Sequence, residues 1–460
     1  MRRPAKALAG LAAFVAFLCP SVPAVAQTHA APGPPGWDAL TTQALERLRF
    51  YLRIPSVNPP ADSRPTAILL EGWLEQEGIE VKVFASAQDK LTLVARLPGR
   101  DHSQSLLLLH HMDVVPVDLT RWPVDPFGAE IRNGFLYGRG AVDMKSIGIL
   151  QLTSFIALKR SGLPLEHDLI LMATPDEESG GERGAIWMTT NHWADISPRY
   201  VLDEGGFATP DLLSAEGKLT FAISVAEKKI LWLKLTANGT GGHASQPDGD
   251  NANDHLLLAL NQLRAMVDTT AAGRDSAVLA ELRKRVGKLA DNKLTRAIQK
   301  DTMSITSLRS GVGDQPKVNV IPAVAEATVD FRLLPDTDFN AFSGQVQRIV
   351  DSVPGVKIEV LHKMDRTPIS STDTPVYRAL QAAILAQHPT ATVTPYLVPF
   401  GTDSNALRNA GAICYGFNPI LLNAELVATM HGDSERIPVD QLAPALRCYY
   451  EAVKAYCTNR

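Results

Sequence analysis

Cysteine is scarce, with four in 460 residues. Cys19 falls in the N-terminal segment, which leaves Cys414, Cys448 and Cys457. Cys448 and Cys457 stand nine apart in a helical stretch, about 13 Å along the axis and too far for a bridge. Cys414 sits in an apolar strand, as a buried thiol does. A disulfide framework and a sulfur-ligated metal site are both excluded. Basic residues show no surplus, the formal net charge being −4, which argues against a nucleic-acid partner. The apolar run over residues 7–18 is short of the ~20 residues that span a bilayer, so no stable membrane insertion is expected. Internal repeats and low-complexity tracts are absent.

With 45% hydrophobic and 20% charged residues, the chain is an ordinary globular one with ample material for a core. Its length exceeds one ordinary domain, so two are expected. Arg2, Arg3 and Lys6 precede the apolar run, and Ala24-Val25-Ala26 has the small-x-small pattern of a cleavage site. Residues 1–26 therefore read as a signal peptide, and the protein as exported, periplasmic or secreted.

The most informative stretch is Leu106-Leu107-Leu108-Leu109-His110-His111-Met112-Asp113. A continuous apolar run ending in polar residues reads as a parallel strand buried on both faces, with ligands at its C-terminal end. His111 and Asp113 are two apart and share a strand face, an arrangement in which a carboxylate holds a metal-bound imidazole. The same grammar recurs downstream. Gly138–Lys145 is a glycine turn that delivers Asp143 to a helix start. An apolar strand over 168–174 runs into Asp176-Glu177-Glu178, three carboxylates that need a compensating positive charge. Another strand ends in Asp203-Glu204-Gly205-Gly206, and a late loop carries His431.

Between residues 226 and 365 the pattern changes to alternating strands and two helices, a βαββαβ-like unit with a charged helical stretch over 275–300. The expected fold is α/β: a central, mostly parallel sheet flanked by helices, with an inserted α+β lid or dimerisation domain. The catalytic domain would comprise 27–225 and 366–460.

Collected, the candidate metal ligands are His111, Asp143, Glu177 or Glu178, Asp203 or Glu204, and His431. Nitrogen and oxygen donors without sulfur suit zinc, with cobalt or manganese as alternatives. Five or six such groups are too many for one tetrahedral ion. Two Zn2+ ions ~3.5–4 Å apart, sharing a carboxylate, form a hydrolytic centre.

These segments, with Gly241–Pro247, Asn319-Val320-Ile321-Pro322 and His431–Arg436, resemble the M20 metallopeptidases, the aminoacylase and carboxypeptidase S-like group. They occur in the family's order, and the one departure is Ser146, where the family has glycine after the lysine. The resemblance implies that Asp143 bridges the metals, with His111 and Asp203 completing one site and Glu178 and His431 the other. It favours Asp203 over Glu204. It makes Glu177 the general base and Asp113 the residue that orients His111, and it implies a cis peptide between Asp143 and Met144. In the lid, His243 would stabilise the oxyanion, acting in the active site of the other subunit of a homodimer. The alternative is that the 275–300 stretch covers the lid edge and leaves a monomer. Arg332 and Asn319 would bind the substrate carboxylate and Gly401 would contact substrate, although Arg332 could equally be a strand-face residue in a salt bridge.

The expected activity is hydrolysis of the amide beside an amino acid with a free carboxylate, in a dipeptide, a peptide or an N-acyl amino acid. An exopeptidase working from the amino end would instead require a free α-amino group. A non-catalytic binding protein of the same fold should lack a ligand or the base, and here every one is present.

Overall fold

The computed structural model describes residues 36–60, 62–270 and 276–459; the expected signal peptide lies outside them. In chain order the strands used below are β1 (Val81–Ala87), β2 (Lys90–Leu97), β3 (Asp101–His111), β4 (His167–Thr174), β5 (Tyr200–Asp203), β6 (Phe207–Thr209), β7 (Thr220–Glu227), β8 (Lys229–Asn238), β9 (Thr302–Ser310), β10 (Val324–Leu333), β11 (Val356–Met364), β12 (Thr392–Val398) and β13 (Ile413–Gly416). The helices are α1 (Trp37–Leu52), α2 (Lys145–Ser161), α3 (Ala252–Thr270), α4 (Ala277–Val286), α5 (Phe339–Asp351) and α6 (Leu442–Thr458).

The large sheet runs β1-β2-β4-β3-β5-β13-β7-β12, with β6 added on β7. Its centre, β4-β3-β5-β13, is parallel, and so is β7 with β12. Leu106 to Leu109 in β3 are completely buried because both faces of this strand are covered. Leu106 and Leu108 join the main core with α1, α2 and α6, while Leu107 and Leu109 join a smaller one with Met188, Ile196 and Leu407. A four-residue apolar run with no polar alternation is what two covered faces require.

The second unit is a four-stranded antiparallel sheet, β9-β10-β8-β11, backed by α3 and α5 with its own core. Here alternation is clean. Leu231, Leu233 and Leu235 of β8 and Val329, Phe331 and Leu333 of β10 point at the helices. Ile230, Trp232 and Arg332 therefore occupy the opposite face, which looks onto the main unit.

The expected lid, 226–365, needs one correction. Val278, Leu279, Leu282 and Val286 of α4, with Ile298, belong to the main core and not to the lid core. Arg285 Nη1 also donates to the carbonyl of Val393 in β12, at 2.9 Å. The charged stretch over 276–300 thus leaves the lid core and packs on the main sheet. Its apolar positions match a surface on β12 that only the folded chain brings near.

Candidate metal centre

The C-terminal ends of the parallel strands converge where β3, β4 and β5 stop. His111 closes β3, with Nδ1 2.9 Å from the carbonyl of Asp113. A ring nitrogen donating to a carbonyl leaves Nε2 as the free lone pair. That Nε2 is 3.0 Å from Asp143 Oδ1 and 3.8 Å from Glu204 Oε1. On the other side, His431 Nε2 is 3.0 Å from Asp143 Oδ2 and 3.4 Å from Glu178 Oε2. Each oxygen of Asp143 thus faces one histidine, and a second carboxylate flanks each pair.

Asp143 is held there by its own turn. The Gly138–Asp143 segment wraps the carboxylate of Glu435, which accepts from the N–H groups of Gly140 (3.0 Å), Val142 (2.7 Å) and Asp143 (3.0 Å). Arg139 pairs with the same carboxylate at 2.7 Å, both side chains being buried. The Asp143–Met144 peptide is cis. Neither Glu435 nor Arg139 is marked by spacing as a clamp for this turn. Their partnership joins positions nearly 300 residues apart, and the only hint was that both fall within informative segments.

A cavity of about 490 Å³ opens over these groups, between the two units. Asp143, Glu177, Glu178, Glu204 and His431 line its floor; Trp232, Arg332, His362 and Met364 of the lid form the facing wall.

A family model described as Peptidase family M20/M25/M40 matches residues 107–455. The chain belongs to this family. It is 30% identical over 398 residues to aminoacylase-1 of Mus musculus, covering 85% of this chain and 90% of that one. It is 28% identical over 452 residues to the N-fatty-acyl-amino acid synthase/hydrolase PM20D1 of Xenopus tropicalis, covering 90% and 85%. Among solved structures, the M20 family metallo-carboxypeptidase Sso-CP2 from Sulfolobus solfataricus superposes with a TM-score of 0.72 at 20% identity, over 90% of this chain and 99% of that one. Human carnosine dipeptidase 1 gives 0.67 at 16% identity, over 92% and 99%. As an M20 peptidase, this chain is a metal-dependent hydrolase.

The donor set fits divalent cations. Two ligands at zinc distances on a tetrahedral ion lie about 3.3 Å apart, and the donor pairs here span 3.0–3.8 Å. His111, Asp143 and Glu178, and again His111, Glu177 and Glu204, converge closely enough to hold an ion. Glu178 Oε1 is buried with no hydrogen-bond partner among the described residues. The electrostatics agree. Burial raises the carboxyls of Glu177, Glu178 and Glu204 above the ordinary range, and the charge of Asp143 raises each further. Burial works against charge on His431, yet hydrogen bonds to Asp143 and Glu178 push it up to about 10. So many buried acids with only imidazoles between them call for added positive charge.

The structure corrects the choice between Asp203 and Glu204. Asp203 shares the β5 face of Val201, which packs against the helix Ser404–Asn409. Its Oδ2 accepts from Ser404 N at 3.0 Å and from Ser404 Oγ at 2.7 Å, away from the cavity. Glu204, just past the strand end, turns to His111 instead. Strand alternation decides the matter, and it allows only one of two adjacent acids to face the cluster.

Other expected residues divide as follows. The Asp113 carboxylate does not make the short contact to His111; its backbone carbonyl does, and the carboxylate oxygens accept from Glu177 N at 3.3 Å and Glu178 N at 3.2 Å. Glu177 lies on the cavity floor, partly buried, in the turn after β4. Arg332 lines the cavity and is also a strand-face ion pair, its Nε 2.8 Å from Asp330 Oδ1 and its guanidinium over Trp232. Gly401 lines the cavity too, and a Cβ there would meet Ile230 Cδ1 at 3.0 Å. His243 and Asn319 do not reach the cavity of their own chain. Both are exposed on a small ribbon, Gly242–His243 paired with Val320–Ile321, and His243 Nδ1 accepts from Ser245 N at 3.2 Å.

Proposed function

We propose that this M20 peptidase is an exported di-zinc hydrolase that cleaves the amide next to an amino acid with a free carboxylate. The observation that carries the reading is the placement of the two histidine nitrogens, each 3.0 Å from a different oxygen of Asp143. His111 and Glu204 would hold one ion, His431 and Glu178 the other, with Asp143 shared. Bound ions would supply an activated water and polarise the scissile carbonyl. Glu177 pairs with neither histidine within 4 Å, so it is free to take a proton from the attacking water and return it to the leaving nitrogen. Arg332 presents its guanidinium from the lid wall, where it would receive the substrate carboxylate. Ile230, Trp232 and Met364 beside it, with Phe400 across the cavity, suit an apolar acyl chain or side chain. The names of the relatives, aminoacylase-1 and N-fatty-acyl-amino acid synthase/hydrolase, support the same substrate class.

His243 and Asn319 would act on the cavity of a second copy, brought there by a two-fold pairing of lids. Their exposure on the lid ribbon supports this, since neither has a role in its own chain's cavity.

A panel of N-acyl amino acids, dipeptides and the same compounds with the carboxylate amidated tests the function. Turnover should require the free carboxylate and survive acylation of the amino group. Dependence on a free α-amino group would instead make the protein an aminopeptidase.

A further inference from the structure

The Asp176-Glu177-Glu178 run leaves a charge unexplained by the cluster above. Asp176 does not face the cavity; it points behind it, towards Asp113. Both carboxylates are buried, at 5% and 1% exposure. A single amide, Nδ2 of Asn58, donates to Asp113 Oδ2 at 2.7 Å and to Asp176 Oδ1 at 3.1 Å. Two like charges sharing one neutral donor in the interior repel each other strongly. Lys90 supplies the opposing charge, with Nζ 3.2 Å from Asp176 Oδ1 and 3.0 Å from Asn58 Oδ1. Lys90 is itself buried, an unusual place for a lysine without such a task.

What the arrangement holds in place is the turn that carries Glu177 and Glu178. Asp113 grips its start through the two backbone N–H groups. Asp176 grips its end, accepting from Arg183 N at 2.9 Å with its side chain and from Gly181 N at 2.8 Å with its carbonyl. If the two carboxylates moved apart, both grips would shift, and Glu177 and Glu178 with them.

We propose that Lys90 and Asn58 are positioning residues, which lock Asp113 and Asp176 together and thereby aim Glu177 and Glu178 into the cavity. The proposal rests on the reading of Glu177 as base and Glu178 as ligand. Neither residue touches substrate, so the effect falls on kcat and on zinc affinity, and KM stays within about twofold. Changes to such supporting partners typically cost about 10–100-fold in activity or metal affinity.

The test compares Lys90→Met, Asn58→Ala and the double variant Lys90→Met with Asp176→Asn. Zinc affinity is measured by chelator competition on the folded protein, and kcat and KM on an N-acyl amino acid. Each single variant should lose about 10–100-fold in kcat and in zinc affinity. The double variant, which removes the charge that Lys90 opposes, should regain most of both. Wild-type kcat and zinc affinity in Lys90→Met overturn the proposal, and so does a loss that the double variant fails to restore. Should Lys90→Met not fold, Asn58→Ala and the double variant decide by the same criteria. Glu177→Ala run alongside separates the two levels. If it is dead while Lys90→Met is fully active, only the positioning role fails; if it turns over normally, the base reading fails and takes the proposal with it.

Discussion

Replacing Glu204 by Gln should cost far more metal affinity than replacing Asp203 by Asn. Glu204 Oε1 stands 3.8 Å from His111 Nε2 on the cavity floor, where, in the proposed arrangement, its charged oxygen would be one of three donors to a single ion. Loss of a supporting partner already costs about 10–100-fold, so loss of a charged ligand should exceed 100-fold, or about 2.7 kcal/mol. Asp203 has a different task. Its Oδ2 accepts two hydrogen bonds from Ser404, and the amide oxygen of Asn can keep at least one of them. Asp203→Asn should therefore change zinc affinity by less than about tenfold, while a hydrogen bond to a charged group lost or weakened lowers stability by about 1.5–3 kcal/mol. Competition against a chromophoric chelator reads the first effect and denaturant unfolding the second. The reasoning is refuted if Asp203→Asn strips an ion while Glu204→Gln binds two with unchanged affinity.

Three other outcomes are expected. Glu177→Ala should lower kcat by about 10²–10⁴-fold, the usual worth of a general base, with metal content by elemental analysis nearly intact. Exhaustive chelation should abolish turnover, and zinc or cobalt should restore it; an active, metal-free preparation would remove the mechanism altogether. His243→Ala and Glu177→Ala variants, each dead alone, should recover activity in about a quarter of sites when mixed and allowed to exchange, because a two-fold dimer forms one intact composite site in half of its pairs. A mixture that stays dead after verified exchange would place His243 in its own chain's site or in none.

Much of the protein was legible in one dimension because its chemistry sits at strand ends. The unbroken Leu106–Leu109 run announced a strand covered on both faces, and His111, Asp143, Glu177, Glu178 and His431 each followed a segment whose local pattern pointed at a shared edge. Local pattern could not choose between Asp203 and Glu204. That choice depends on which face of β5 the Ser404–Asn409 helix covers, and the two segments lie 200 residues apart. It could not place 276–300 either, since an amphipathic helix does not say which of two sheets its apolar face will meet; β12, laid down a hundred residues later, decided that. The supports of the site were the least visible. Glu435 under the Asp143 turn, and Lys90 and Asn58 between Asp113 and Asp176, are ordinary polar residues in sequence. They acquire meaning only when folding buries carboxylates together and the low dielectric makes each require a partner.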